Sequence, residues 1–469
     1  MQLLDLITIF IFALGIVIMG LSFSGKGRNM KSFFAAGGAV PWAMSGLSLF
    51  MGFFSAGTFV VWGSIAYSLG WIAISIQWTM AIAGFVVGFF IAPRWHKTSA
   101  LTVAEYITRR LGVNTQKTYT YLFLFISLFT TGSFLYPVAK IVEVSTGMPL
   151  DLCILLLGGF CIVYVAAGGL WAVVSTDVLQ FIILTAAVLI VVPLSFGRVG
   201  GVVNFIESIP ATYFNLVNGE YTIGFIIAFG VYNAIFLGGN WAYVQRYASV
   251  NSQSSARKVG FLFGGLYVVS AVLWMLPPMI YRIVNPSLST IDAEGAYLMM
   301  CKEVLPAGLL GLMLSGMVFA TASSLNATLN ISSGVVTNDI FKRLFPQSSD
   351  KTLMRVARIS TIIFGLLAII VALLIPLMGG IVNVVISVAA LTGVPLYLPI
   401  IWTLFSKRQT EYSVITTTLV SLGANAFFKF ITPLWGFGFN RAEEMIVGVA
   451  FPVFCLIAFE LYYKLNHKI

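Results

Sequence analysis

The residues best suited to chemistry in this sequence carry no charge. The stretch FATASSLNATLNISSG sets Ala320, Ser323 and Ser324 on one helical turn. Hydroxyls and freed carbonyls are the oxygen ligands that a hard cation such as Na⁺ takes. Such a site needs a second donor segment, and Val40–Tyr67 offers one. Within it, SGLSLFMGFFSAGTFVVWG scatters Gly46, Gly52, Gly57 and Gly63 among Ser48, Ser55 and Thr58. That pattern can interrupt a helix and turn backbone carbonyls toward an ion. If the two segments pack together, they form a weak, reversible cation site. Taken alone, Ser and Thr in an apolar helix more often bond their own backbone or a neighbouring helix, so spacing leaves both roles open.

Catalysis finds few of its parts. Both histidines, His96 and His467, lie in polar segments, and of the 16 carboxylates only Asp177 is drawn toward an apolar run. Metal-ligand spacing, a carboxylate pair and a nucleophile beside a base are all missing from the pattern. The expectation is a chain that is not an enzyme. Cys153, Cys161, Cys301 and Cys455 show no metal or redox spacing and read as packing residues.

The elements that must position these residues are legible from composition. Of 469 residues 59% are hydrophobic and 9% charged, with a mean hydropathy of +0.98, whereas a soluble domain is about a quarter charged. The apolar residues fall in thirteen blocks, from Leu3–Leu21 to Met445–Tyr463, each near the ~20 residues that cross a hydrocarbon core. Lipid offers the backbone no partner, so blocks with a helical rather than alternating period read as helices and not as a barrel. With the N-terminus outside, twenty of the 26 basic residues sort to the inner side and six to the outer, as the positive-inside rule requires. The net charge of +10 is thereby absorbed by topology, which argues against a nucleic-acid partner. The first block has neither a basic leader nor a small-residue cleavage site, so it reads as a retained helix.

The second and seventh blocks lie five helices apart and share an unusual composition. The seventh, Tyr221–Val244, places Gly224, Gly230, Gly238 and Gly239 around Asn233. Paired broken helices at that interval are what an inverted repeat of five plus five helices requires.

Several stretches in order resemble the sodium:solute symporter family over nearly the whole chain. KSFFAAGGAVPWAMSGLSLF is similar to that family's lead into its first core helix, and AEYITRRLG to its first long cytoplasmic connection. GGLWAVVSTDVLQ, NWAYVQRYASVNSQSSARK and FATASSLNATLN resemble its helix-entry motif, the end of its sixth core helix and its sodium helix. The resemblance implies an all-α polytopic membrane protein with a LeuT-like inverted repeat. A leading helix and connection would occupy 1–39, the two five-helix repeats 40–198 and 221–405, and two trailing helices 406–469, giving thirteen spans.

Carried over by position, the resemblance implies a sodium site made of the Met51, Phe54 and Ala320 carbonyls with the Ser323 and Ser324 hydroxyls. Asp177 matches a residue that some members use for a second sodium. The hydroxyl positions that accompany it read Asn326 and Ala327 here, leaving a relay or gate as the other role for Asp177. Ser55, Thr58, Gln77 and Asn233 match substrate-binding positions, and Trp62 and Phe236 match hydrophobic gates. A buried Gln or Asn without a partner costs about 1–3 kcal/mol, so Gln77 and Asn233 must bond a ligand or one another.

Other positions narrow the solute. Ser133 stands where sialic acid symporters present an Arg to a carboxylate, and Tyr267 and Ala389 stand where bacterial sugar symporters have a Lys and a Gln. With no fixed positive charge placed in the pocket, a neutral polyhydroxylated solute is favoured over an anion. The expectation is a monomeric, multi-pass protein of the cell (inner) membrane, embedded in the lipid bilayer, that imports a small sugar-like molecule with Na⁺ by alternating access. The alternatives are a sodium-coupled carrier of a carboxylate, sialic acid or amino acid, and a channel or sensor on the same scaffold.

Overall fold

The computed structural model of the chain describes residues 2–24, 40–100, 102–164 and 170–466, and among these every regular element is helical. The helices are α1 (Leu3–Ser24), α2 (Trp42–Met51), α3 (Thr58–Leu69), α4 (Ile72–Lys97), α5 (Val103–Leu111) and α6 (Val113–Thr146). There follow α7 (Leu150–Tyr164), α8 (Leu170–Arg198), α9 (Ile223–Gly239), α10 (Trp241–Ala248), α11 (Gln253–Val284) and α12 (Ala296–Val304). The chain ends with α13 (Leu309–Gly334), α14 (Asp350–Leu374), α15 (Ile381–Thr403), α16 (Glu411–Trp435) and α17 (Arg441–Asn466).

Among the described residues eight helices are each long and apolar enough to cross a bilayer, and α9 with α10, bent by 60°, makes a ninth if the pair is one span. Shorter apolar runs lie in α1, α2, α3, α7 and α13.

Two devices hold the bundle together where hydrophobic burial cannot, since lipid tails are as apolar as the side chains they would replace. The first is close backbone approach. Gly84 and Gly88 of α4 meet Gly260 and Gly264 of α11: a Cβ on Gly84 would lie 2.7 Å from the Gly264 nitrogen, and one on Gly260 2.6 Å from the Gly88 Cα. Two facing small-xxx-small ridges therefore let the helices touch main chain to main chain. The second is aromatic packing around Phe50, whose ring lies 5.4 Å from Trp274, 5.6 Å from Tyr267 and 5.7 Å from Phe181.

A buried carboxylate fixes the start of α13. Asp5 of α1 accepts hydrogen bonds from the Gly308 and Gly311 amides at 2.8 and 3.0 Å. The first amides of a helix lack internal acceptors and carry the positive end of its dipole, so the anion both satisfies them and docks α1 on α13.

Candidate functional site

The apolar segment 42–69 is interrupted where its glycine and small polar residues concentrate. α2 ends at Met51 and α3 begins at Thr58. Non-helical backbone at membrane depth persists only if neighbours satisfy it, and here they do. The Thr58 hydroxyl donates to the Phe53 carbonyl. The Ala56 amide donates to the Thr321 hydroxyl of α13 at 2.9 Å, and that hydroxyl donates on to the Met317 carbonyl at 2.9 Å. Phe54, inside the break, stacks on Trp274 with centroids 4.8 Å apart. The break is thus pinned to α13 by a hydrogen bond and to α11 by a ring.

Thr321→Val keeps the shape and removes the acceptor, stranding a buried amide. It is expected to destabilise the protein by about 1–3 kcal/mol, read as a lowered Tm of the purified protein, while Thr321→Ser restores it.

The second interruption falls at Asn240, two turns past Asn233, about which the sequence pattern is centred. Asn240 leaves helical geometry and caps α10 through its side chain, which accepts from the Ala242 amide at 3.0 Å. Gly239, just before it, is where Tyr397 of α15 presses in, 2.7 Å from where a Cβ would be.

Between the two interruptions lies a cavity of about 100 Å³ lined by Ser48 and Met51 of α2, Gly52 just after it, Asn240 at the bend, Tyr243 and Arg246 of α10, and Asp177 of α8. Ser127 and Thr130 of α6, Ser324 and Thr328 of α13, Phe236 and Tyr397 also line it. It has room for several water molecules.

The sequence-predicted ion ligands divide as follows. Met51 and Ser324 line this one cavity, and the Ser324 hydroxyl lies 3.5 Å from the Ala320 carbonyl it donates to. Ala320 and Phe54 are buried. The side chains of Ser323, Asn326 and Ala327 lie outside the described residues.

Asp177 is held by the Ser48 hydroxyl, which donates to its Oδ2 at 2.6 Å. Arg246, 8% exposed, stands in the same wall and brings a positive charge to the surroundings of Asp177. Arg246 donates to the Ala242 carbonyl at 2.9 Å, while its buried Nε has no hydrogen-bond partner among the described residues. A guanidinium therefore stands in the wall of this cavity. A buried charge persists only when paired, and Asp177 in the same wall balances it.

Ser55, Thr58, Gln77 and Asn233 are buried and stand apart from this cavity. Asn233 donates to the Thr79 hydroxyl of α4 at 2.8 Å. Gln77 keeps a buried Nε2 with no hydrogen-bond partner among the described residues. Of the two residues matched to gates, Phe236 lines the cavity and meets Tyr243 at 5.5 Å. Trp62 lies edge-on to Phe229, 5.7 Å away.

Comparison with known proteins points one way. The sodium:solute symporter family matches residues 33–420. A sodium/glucose cotransporter of Vibrio parahaemolyticus is 28% identical over 91% of this chain and 86% of its own length. A sodium/myo-inositol cotransporter 2 of Sus scrofa is 27% identical over 89% of this chain and 68% of its own length. The solved substrate-bound, outward-open structure of a Na⁺-coupled sialic acid symporter superposes with a TM-score of 0.81 at 21% identity, covering 98% of both chains. A transporter of the nucleobase-cation-symport-1 family follows at 0.59 and 15% identity, covering 94% of this chain and 96% of its own.

Proposed function

Because this chain belongs to the sodium:solute symporter family, we propose that the interrupted α2–α3 segment and α13 form the site through which Na⁺ drives its solute. The protein is an integral membrane, sodium-coupled solute symporter and not an enzyme. One observation carries the assignment of the site: Met51 at the break and Ser324 on α13 line the same cavity. The ion ligands are the Met51, Phe54 and Ala320 carbonyls with the Ser323 and Ser324 hydroxyls, uncharged oxygens suited to loose, reversible binding.

The solute is a neutral sugar or sugar-like molecule, a reading supported by the glucose and myo-inositol cotransporters among the relatives. The feature that would favour an acid is Arg246, and Asp177 cancels its charge. Ser55, Thr58, Gln77 and Asn233 serve the solute when Trp62 and Phe236 part, with the unpartnered Gln77 amide the group most in need of a ligand. Asn233 can keep its bond to Thr79 and offer the solute its second amide N–H and its Oδ1.

The chain crosses the cell (inner) membrane thirteen times as a monomer in lipid, N-terminus outside. Eight long helices, the bent α9–α10 pair and the four apolar segments 3–24, 42–69, 150–164 and 309–334 make up that number. The leading helix lies in 1–39, inverted repeats in 40–198 and 221–405, and trailing helices in 406–469. In this orientation the cavity faces the cytoplasm. Moving one charge inward across 100 mV yields ~2.3 kcal/mol, and a departing ion passes from Ser324 to a vestibule holding the Asp177 carboxylate, which acts as a relay.

Uptake into proteoliposomes tests the proposal. A sugar or polyol is expected to accumulate above its outside concentration under an inward Na⁺ gradient and to stop doing so when choline replaces Na⁺. Equal uptake in both salts would remove sodium coupling, and equilibration without accumulation would indicate a channel. A thermal-shift panel of sugars, sugar acids, carboxylates and amino acids identifies the solute, since only a bound ligand raises the melting point and here it should do so only with Na⁺.

A further inference from the structure

On the far side of the break from the cavity, the connection between α11 and α13 is folded into the bundle. Connecting segments ordinarily run over the surface, yet here Ala293, Glu294, Ala296, Tyr297, Met300 and Cys301 are all buried. Asp292–Gly295 forms a single tight turn that leads directly into α12. The Tyr297 ring lies 4.3 Å from that of Phe59 in the first turn of α3, so α12 covers the second half of the broken helix.

Glu294, two residues before α12, ties this cover to two other helices. Its Oε2 accepts from the Tyr136 hydroxyl of α6 at 2.7 Å, and its Oε1 accepts from the Ile381 amide, the first of α15, at 2.9 Å. An anion at a helix N-terminus is stabilised by the unsatisfied amides there. The approach depends on Gly380, whose φ is +86° and whose Cβ, if it had one, would sit 2.6 Å from Oε1. The other charges facing the carboxylate are on α6: Lys140 and Glu143, paired with each other at 2.8 Å. Burial pushes the Glu294 carboxyl above the usual carboxylate range, with the two hydrogen bonds and Lys140 opposing.

The two helices that Glu294 joins are also walls of the cavity at the other end, α6 through Ser127 and Thr130 and α15 through Tyr397. We infer that Glu294 is the latch of the outer gate, fastening the buried connection to α6 and α15 while the inner cavity is open and letting go when the outer path opens. The inference rests on the alternating access proposed above. A solute entering from outside must pass α12 to reach Ser55 and Thr58, and α12 cannot leave Phe59 without drawing the Glu294 carboxylate off Tyr136 or off the Ile381 amide.

Cys301 of α12 is a built-in reporter, fully buried in the closed arrangement, with its thiol pushed well above the ordinary range by that burial. The test uses full-length protein with Cys153, Cys161 and Cys455 replaced by Ala, in right-side-out vesicles exposed to a membrane-impermeant maleimide. A parallel version keeps Cys153, likewise buried, in place of Cys301. Glu294→Gln and the milder Tyr136→Phe are each expected to speed labelling of Cys301 by about tenfold, the change when a hydrogen bond to a charged group is lost from one of two exchanging states. Cys153 labelling should stay as it was.

Unchanged labelling of Cys301 in both variants would overturn the latch, and so would an equal rise at Cys153, which would mark general loosening. Sodium-driven uptake by the parent protein is measured in the same vesicles. Its absence would overturn the proposed transport cycle, whereas its presence with unaltered Cys301 labelling would overturn the latch alone.

Discussion

Ser324→Ala is expected to raise the sodium concentration for half-maximal uptake by roughly tenfold or more, the consequence of losing one hydroxyl ligand to a charge at about 1.5–3 kcal/mol. The magnitude follows from the setting. Ser324 lines the cavity at the break, with its hydroxyl beside the Ala320 carbonyl, and a site made of uncharged oxygens has no carboxylate to take over the missing contribution. Ser324→Thr keeps an oxygen at the same place and should stay near the parent value. Initial uptake rates across a sodium series in proteoliposomes decide the matter. A half-saturating concentration unchanged in Ser324→Ala would remove this residue from the ion's coordination, whatever its effect on maximal rate.

The second large effect concerns the charges in the cavity wall. Arg246→Met leaves the Asp177 carboxylate with its Ser48 hydrogen bond but without the positive charge it is coupled to. Removing the guanidinium takes away the positive charge that favours the Asp177 carboxylate, and the Tm is expected to fall. Asp177→Asn strands the guanidinium in the same way, although an amide oxygen can still accept from Ser48. Removing both charges should cost much less than the two single losses added together, since neither ion is then left alone. Thermal unfolding of the purified parent, both single variants and the double variant forms the cycle. Additive losses would mean that the two groups do not sense one another, and the balance of charge on which a neutral solute was argued would then fail.

The relation between the sequence and these sites is uneven. The break after Met51 was legible because glycine and small polar residues cluster there inside an otherwise apolar run. The bend in α9–α10 was legible only as a region: four glycines spread over Gly224–Gly239 do not single out Asn240, and the pattern pointed to Asn233 instead. Arg246 reads in one dimension as a basic residue at the end of an apolar block, the usual mark of an inner loop. The 60° bend before α10 is what places it in the cavity wall. Thr321 gave no signal among its small polar neighbours, since one residue along a helix turns the side chain by about 100° and only packing decides which hydroxyl meets the break.

Sequence by itself determined the solvent and the local geometry: apolar blocks of bilayer length demand helices, glycine-rich runs weaken them, and basic residues assign the sides. Tertiary structure alone decided which polar groups meet, joining Ala56 to Thr321, Ser48 to Asp177 and Asn233 to Thr79 across 265, 129 and 154 positions. The physical reason is that helix formation is satisfied within a segment, whereas a buried hydroxyl, amide or charge is satisfied by whatever neighbour the rotation and tilt of separate helices bring to it.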